Sequence, residues 1–108
     1  MNEYNVFVHM FKAMDKEYDK NPNEYLGNYL SDLNPFLFEG ENSADPAEFE
    51  EFKEAYINHF GEKITRNEDV YEFCKKYLEK NAPEGIVQYF LNADKEDWIY
   101  SLAQEMRL

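Results

Sequence analysis

Apolar residues recur at spacings of three and four along most of the chain, and no sustained run alternates at spacing two. Spacings of three and four place side chains on one face of a helix, because successive residues turn by about 100°. Between residues 3 and 19, Tyr4, Phe7, Val8, Phe11, Met14 and Tyr18 fall on one such stripe, which Met10 widens. Val6 is predicted to point away from that stripe, and His9 lies off it. Asn21-Pro22 reads as the end of this helix and the start of the next, with Asn21 as cap and Pro22 in the first turn. Tyr25, Leu26, Tyr29, Leu30 and Leu33 give the second helix its apolar side. Asn34-Pro35 then breaks it, since a residue before proline avoids helical angles.

Phe36-Leu37-Phe38 is too short for a helix and is expected as a single β-bridge or an extended segment plugged into the core. Gly40 to Ser43 reads as loop. Asp45-Pro46 is a helix start with a mechanism. The Asp carboxylate accepts from free backbone N–H groups, and proline needs none in the first turn. The third helix runs to about His59, with Phe49, Phe52, Tyr56 and Phe60 inward, Ile57 at the edge, and Gly61 as terminator. Thr65 to Glu68 matches a capping box. The fourth helix follows, with Val70, Phe73, Cys74, Tyr77 and Leu78 inward and Tyr71 at the rim, and Asn81-Ala82-Pro83 ends it. Ile86, Val87, Phe90 and Leu91 predict a short fifth helix weakened by Gly85. Asp94 to Asp97 opens a sixth, with Trp98, Ile99, Leu102 and Met106 on one side and Tyr100 opposite. The pattern predicts an all-α fold, a compact bundle of five to six short helices forming one domain over residues 1–108.

Composition supports a core of that kind. Hydrophobic residues make up 44% of the 108 and aromatics 18%, enough to fold without disulfides or metals. Cys74 is the one cysteine, which fits a reducing compartment. No basic start with a continuous apolar run opens the sequence, and no apolar stretch is long enough to span a bilayer, so a cytoplasmic location is expected.

Charge changes the picture more. A net charge of −12 disfavours nucleic acid and anionic membranes, which need Lys and Arg to displace counterions. It is also unevenly placed. From residue 39 to 54, Glu39, Glu41, Asp45, Glu48, Glu50, Glu51 and Glu54 face only Lys53, which leaves −6, half the total. Glu50, Glu51 and Glu54 fall opposite the Phe49/Phe52/Tyr56 stripe and are predicted to face solvent together. Two readings compete: a solvated face helped by acids near a positive helix end, or a surface that holds something positive. Like charges at exposed positions are common, which favours the first for the cluster as a whole, while Phe38 and its apolar neighbours beside these acids motivate the second.

Other chemistry is poorly supported. Oxygen side chains fall at EF-hand intervals from Glu39, but Ala44 stands where that loop needs glycine and Pro46 lies inside it. No zinc spacing, phosphate loop or nucleophile elbow occurs, and Ser43 lacks the context for one. His59 suits a helix end, and Cys74 falls inward as a small hydrophobe. No metal, cofactor or catalytic residue is therefore expected, and the chain is expected not to be an enzyme. Tyr100, Tyr71 and one of Tyr25 or Tyr29 are candidates for partly exposed rings that grip Lys or Arg, against the alternative that they merely cover the edges of a small core.

The run Tyr29-Leu30-Ser31-Asp32, then Asn34-Pro35-Phe36-Leu37-Phe38, then Ser43-Ala44-Asp45-Pro46-Ala47 resembles a pattern in small bacterial helical proteins, some of which resemble toxin-immunity proteins. The resemblance implies a helical fold and a protein partner, and brings no catalytic residue. Asp32, Asn34, Asp45 and the flanking aromatics match its pattern, although capping and turning the chain would equally explain the polar three. The combined expectation is an acidic protein-binding module, in its sharpest form an immunity-type inhibitor of a basic toxin or nuclease. Its partner-binding residues would be Glu39, Glu41, Asp45, Glu50, Glu51, Glu54 and Phe38. The rival expectation is a self-associating structural or regulatory homodimer whose acids serve only solubility.

Overall fold

In a computed structural model that describes residues 2–37, 40–61 and 65–105, the periodicity resolves into helices throughout. They are α1 (Glu3–Lys20), α2 (Glu24–Leu33), α3 (Pro46–Phe60), α4 (Asn67–Asn81), α5 (Ile86–Leu91) and α6 (Lys95–Glu105). Among the described residues there is no strand, and the fold is an all-α bundle.

The longest helix, α1, packs against α2, α3, α5 and α6, while α4 packs against α3, α5 and α6. That central position explains two departures from the sequence pattern. Val6 and His9 were expected off the apolar stripe, yet every residue from Val6 to Phe11 is buried. A stripe describes a helix covered on one side. Here α5 and α6 cover the other side too, and the His9 ring meets Trp98 edge-on at 5.3 Å. Tyr71, expected at the rim, is buried for the same reason. It stacks on Phe90 of α5 at 5.1 Å and meets Trp98 of α6 at 5.5 Å.

Aromatic rings fill the centre. Phe52 of α3 contacts Phe7 of α1 at 5.2 Å, and Phe73 and Tyr77 of α4 at 5.6 and 5.0 Å. Most of these pairs are tilted or edge-to-face, the arrangements that the ring quadrupole favours. Leu26, Tyr29, Leu30 and Leu33 bring the apolar side of α2 into the same cluster.

Three helix starts sit differently from the sequence reading. Helix α2 begins at Glu24, and Asn23 caps it by accepting from the Leu26 N–H at 2.8 Å. Asn21 instead ends α1, its N–H donating to the Glu17 carbonyl at 3.0 Å. Helix α4 is capped at Arg66 rather than Thr65, and Arg66 bridges Asp69 one turn on at 3.2 Å. Gly85 lies just before α5 and not in it, with φ +87°, where glycine has no Cβ to strain. Gly61 ends α3 as expected, with φ +61°. Met106 lies outside the described residues.

The connection from α2 to α3 is a loop closed at its base. Ala44 N–H donates to the Asn34 carbonyl and Asp45 N–H to the Asp32 carbonyl, each at 2.9 Å. Asn34 turns the chain by accepting from the Phe36 N–H at 2.9 Å. The expected insertion of the apolar run into the core fails for its first two members. Phe36 is 60% exposed and Leu37 62%, with Phe36 only leaning on Phe11 at 5.9 Å. Pro35 is the buried residue of this turn, and its carbonyl accepts from the Tyr4 hydroxyl at 3.1 Å. Two backbone bonds hold the base of the loop without Phe36 or Leu37 as anchors, and Phe38 lies outside the described residues.

Candidate functional site

Helix α3 carries the acidic face. Its start is fixed by Asp45, whose carboxylate accepts from the Ala47 N–H at 3.1 Å, and by buried Ser43, whose Oγ accepts from the Phe49 N–H at 2.9 Å. Pro46 occupies the first helical position. With that start set, Phe49, Phe52, Tyr56 and Phe60 turn inward, and Glu50, Glu51 and Glu54 are exposed. Ile57 stays 47% exposed on the same helix and borders a shallow depression with Glu50 and Glu54.

The acidic residues of the sequence segment divide into distinct settings. Glu41 sits on the loop, exposed, and accepts from the Asn2 side chain at 3.3 Å. Asp45 is occupied as a helix cap while remaining exposed. Phe38 and Glu39 lie outside the described residues. Glu50, Glu51 and Glu54 form the presented group.

None of these three carboxylates forms an ion pair among the described residues, although Lys53 borders the same depression as Glu50 and Glu54. Among the described residues, ion pairs join Lys20 to Glu17, Arg66 to Asp69 and Lys95 to Glu72, and none involves a carboxylate of α3. Glu17 of α1 and Asp69 and Glu72 of α4 thus have basic partners, and among the described residues no acid of α3 does. Lys95 also lies over the Tyr71 ring at 5.2 Å, away from α3.

Glu48 joins the group from a half-buried position and lies outside the partner-binding set expected from the sequence. Burial pushes its carboxyl above the ordinary range, and Glu51, Asp45 and Asp32 push it further. A positive helix end should favour its charged form. Burial and the three neighbouring acids work against that help. Asp32 therefore belongs to the same electrostatic neighbourhood as Asp45, Glu48 and Glu51.

Two tyrosines underlie these acids. Tyr29 of α2 and Tyr77 of α4 are buried, and burial pushes both hydroxyls upward, with Glu48 and Glu51 adding to each. Tyr25 is the exposed tyrosine of α2, at 51%, and its hydroxyl donates to the Glu84 carbonyl at 2.6 Å. Tyr100 on α6 is 66% exposed. Neither Tyr29 nor Tyr71 offers the open ring face that the sequence reading considered.

A groove of about 610 Å³ runs between α3 and α4. Glu51 and Glu54 line one rim, Lys76 and Lys80 line the other, and Phe73 and Tyr77 lie at the floor. The α4 side was not read as part of any site, because its two lysines have spacings indistinguishable from an ordinary solvated helix face. Only the packing of α4 beside α3 brings them opposite the acids.

Cys74 is fully buried, and burial pushes its thiol far upward, so it has no thiolate to offer as nucleophile or ligand. His59 ends α3 exposed, its ring against Phe60 at 4.6 Å and Phe73 at 5.3 Å. Among the described residues no cluster of His, Cys, Asp and Glu has the arrangement to hold a metal ion, and no helix is long and apolar enough to cross a membrane. Comparison with protein-family models, with curated proteins and with solved structures finds no match to this chain.

Proposed function

We propose that this protein is a non-enzymatic, cytoplasmic binding module whose acidic α3 face captures a basic protein, in its sharpest form an immunity-type inhibitor of a basic toxin or nuclease. The observation that carries this reading is the exposure of Glu50, Glu51 and Glu54 together, with no ion pair to any described lysine or arginine. Carboxylates already paired within a protein gain little from an incoming cation. Unpaired ones raise the encounter rate with a positive partner, and a few desolvated contacts then supply the affinity. Ile57 provides an apolar contact within the same face.

The test begins with the protein encoded beside this chain, or with one co-purified at low salt, and measures its affinity over a salt series. Reversing Glu50, Glu51 and Glu54 to Lys is expected to slow association and flatten the salt dependence. Unchanged affinity and salt slope would remove α3 from the interface.

Phe36 and Leu37 favour a second reading. Two adjacent apolar side chains about 60% exposed on a loop whose base is closed by backbone hydrogen bonds suit burial against a second copy. Light scattering separates the two readings, since a dimer insensitive to salt and abolished by Leu37→Asp belongs to self-association.

A further inference from the structure

We propose that the groove between α3 and α4 seats an amphipathic, zwitterionic helical segment of a partner protein, with its apolar anchor over Phe73 and Tyr77, its basic edge against Glu51 and Glu54, and its acidic edge against Lys76 and Lys80. This inference rests on the reading of α3 as a capture face and specifies what that face selects.

Three observations lead to it. First, the two rims carry opposite charge. Glu51 and Glu54 come from α3, and Lys76 and Lys80 come from α4, one turn apart on an exposed face. Second, the rims do not neutralise each other. Among the described residues none of these four side chains forms an ion pair, so the groove stays open and its charges remain available. Third, the floor is aromatic. Phe73 and Tyr77 are held by ring contacts with Phe52 at 5.6 and 5.0 Å, which fixes the floor before anything docks. A prearranged floor lowers the ordering cost of binding.

The charge pattern decides between occupants. A uniformly basic segment would meet repulsion from Lys76 and Lys80, so the groove discriminates against the generic polycation that the −12 net charge alone would attract. A segment with one basic and one acidic edge satisfies both rims. An apolar helix without charges would leave all four groups desolvated and unpaired. The α4 rim thereby turns a non-selective acidic surface into a selective one.

A displayed library of short helical peptides tests this directly. One apolar anchor is held fixed, positions on both edges are randomised among Lys, Glu and Ala, and the library is panned on the intact protein at low salt. Enrichment of peptides with Lys on one edge and Glu on the other is expected. Their affinity should fall about tenfold on Lys76→Glu/Lys80→Glu, the loss of roughly one to two exposed pairs. Amide shifts on binding should centre on Phe73 and Tyr77. Both substitutions are at exposed positions, and an unchanged circular dichroism spectrum checks the fold. Enrichment of peptides basic on both edges, indifferent to that variant, would overturn the groove while leaving the acidic capture face standing. No enrichment over a library with Ala in place of the anchor would overturn the groove, and loss of low-salt binding to all-Lys peptides as well would overturn both. Self-association abolished by the same variant would show a second copy in the groove and overturn a foreign segment.

Discussion

The indole N–H of Trp98 on α6 donates to the backbone carbonyl of His9 on α1, at 3.2 Å, across 89 residues of sequence. Helix α1 is continuous here, so its His9 carbonyl accepts the indole in addition to its place in the helix. Around the bond, Trp98 packs edge-on to His9, Tyr71 and Phe90 at 5.3, 5.5 and 5.6 Å. One side chain therefore joins α6 to α1, α4 and α5.

Trp98→Phe keeps most of the apolar contact and removes the donor, so it is expected to destabilise by about 1 kcal/mol. Trp98→Ala opens a cavity among three aromatic neighbours and is expected to cost about 3–5 kcal/mol. Urea unfolding followed by circular dichroism measures both. Equal losses for the two variants would mean that the hydrogen bond, not the packing, holds α6.

The capping of α2 separates the sequence reading from the structure in one measurement. Asn23 accepts from the Leu26 N–H at 2.8 Å, whereas Asn21 is exposed at the end of α1. Asn23→Ala is expected to cost about 1 kcal/mol, and Asn21→Ala to stay within about 0.5 kcal/mol. Thermal unfolding of the two variants side by side checks the order. The reverse order would restore Asn21 as the cap.

Such local shifts mark where the sequence stops being legible. Asn21, Pro22 and Asn23 all belong to helix-boundary chemistry, and the choice among them follows from where α2 must begin to bury Leu26. Inward faces were legible for α3, and for α4 apart from Tyr71, which α5 and α6 cover from a second side. On α1 the stripe misplaced Val6 and His9, since burial from two sides erases periodicity. The exposed acids of α3 were legible from the same stripe read in reverse. Their lack of ion pairs to any described lysine or arginine was not, and neither was the opposing rim of Lys76 and Lys80, because both depend on which helix packs beside which. Phe36 and Leu37 misled for a different reason: hydrophobicity predicts burial on average, and the loop was already closed by backbone bonds from Ala44 and Asp45.

Cys74 gives a probe of the interior of α4. It is fully buried, and burial raises its thiol far above the ordinary value. A thiol reagent at mildly alkaline pH is expected to leave the folded protein almost unlabelled and to react at once in denaturant. The native labelling rate should rise in Trp98→Ala, in proportion to the increased population of open states. Rapid labelling of the unperturbed protein would show that α4 opens independently of the bundle.

Glu48 links the acidic face to stability, and the sign can be worked out. Its carboxyl is raised by burial first, then by Glu51, Asp45 and Asp32. The folded protein therefore holds that proton more tightly than the unfolded chain does. The stability that this preference contributes is fully present below the ordinary carboxyl range and is lost as pH rises through the raised value. At neutral pH the ionised side chain is a net cost to the fold. Glu48→Gln removes the charge at similar volume and is expected to stabilise at pH 7 by a few tenths of a kcal/mol, discounted for its partial exposure. The gain should shrink as pH falls and disappear below about pH 4. Paired denaturation curves at pH 7 and at low pH decide the matter. If Glu48→Gln destabilised at pH 7, the positive end of α3 would outweigh the neighbouring acids. The α3 face would then be an ordinary helix terminus rather than a surface that accepts a cost in stability for its charge.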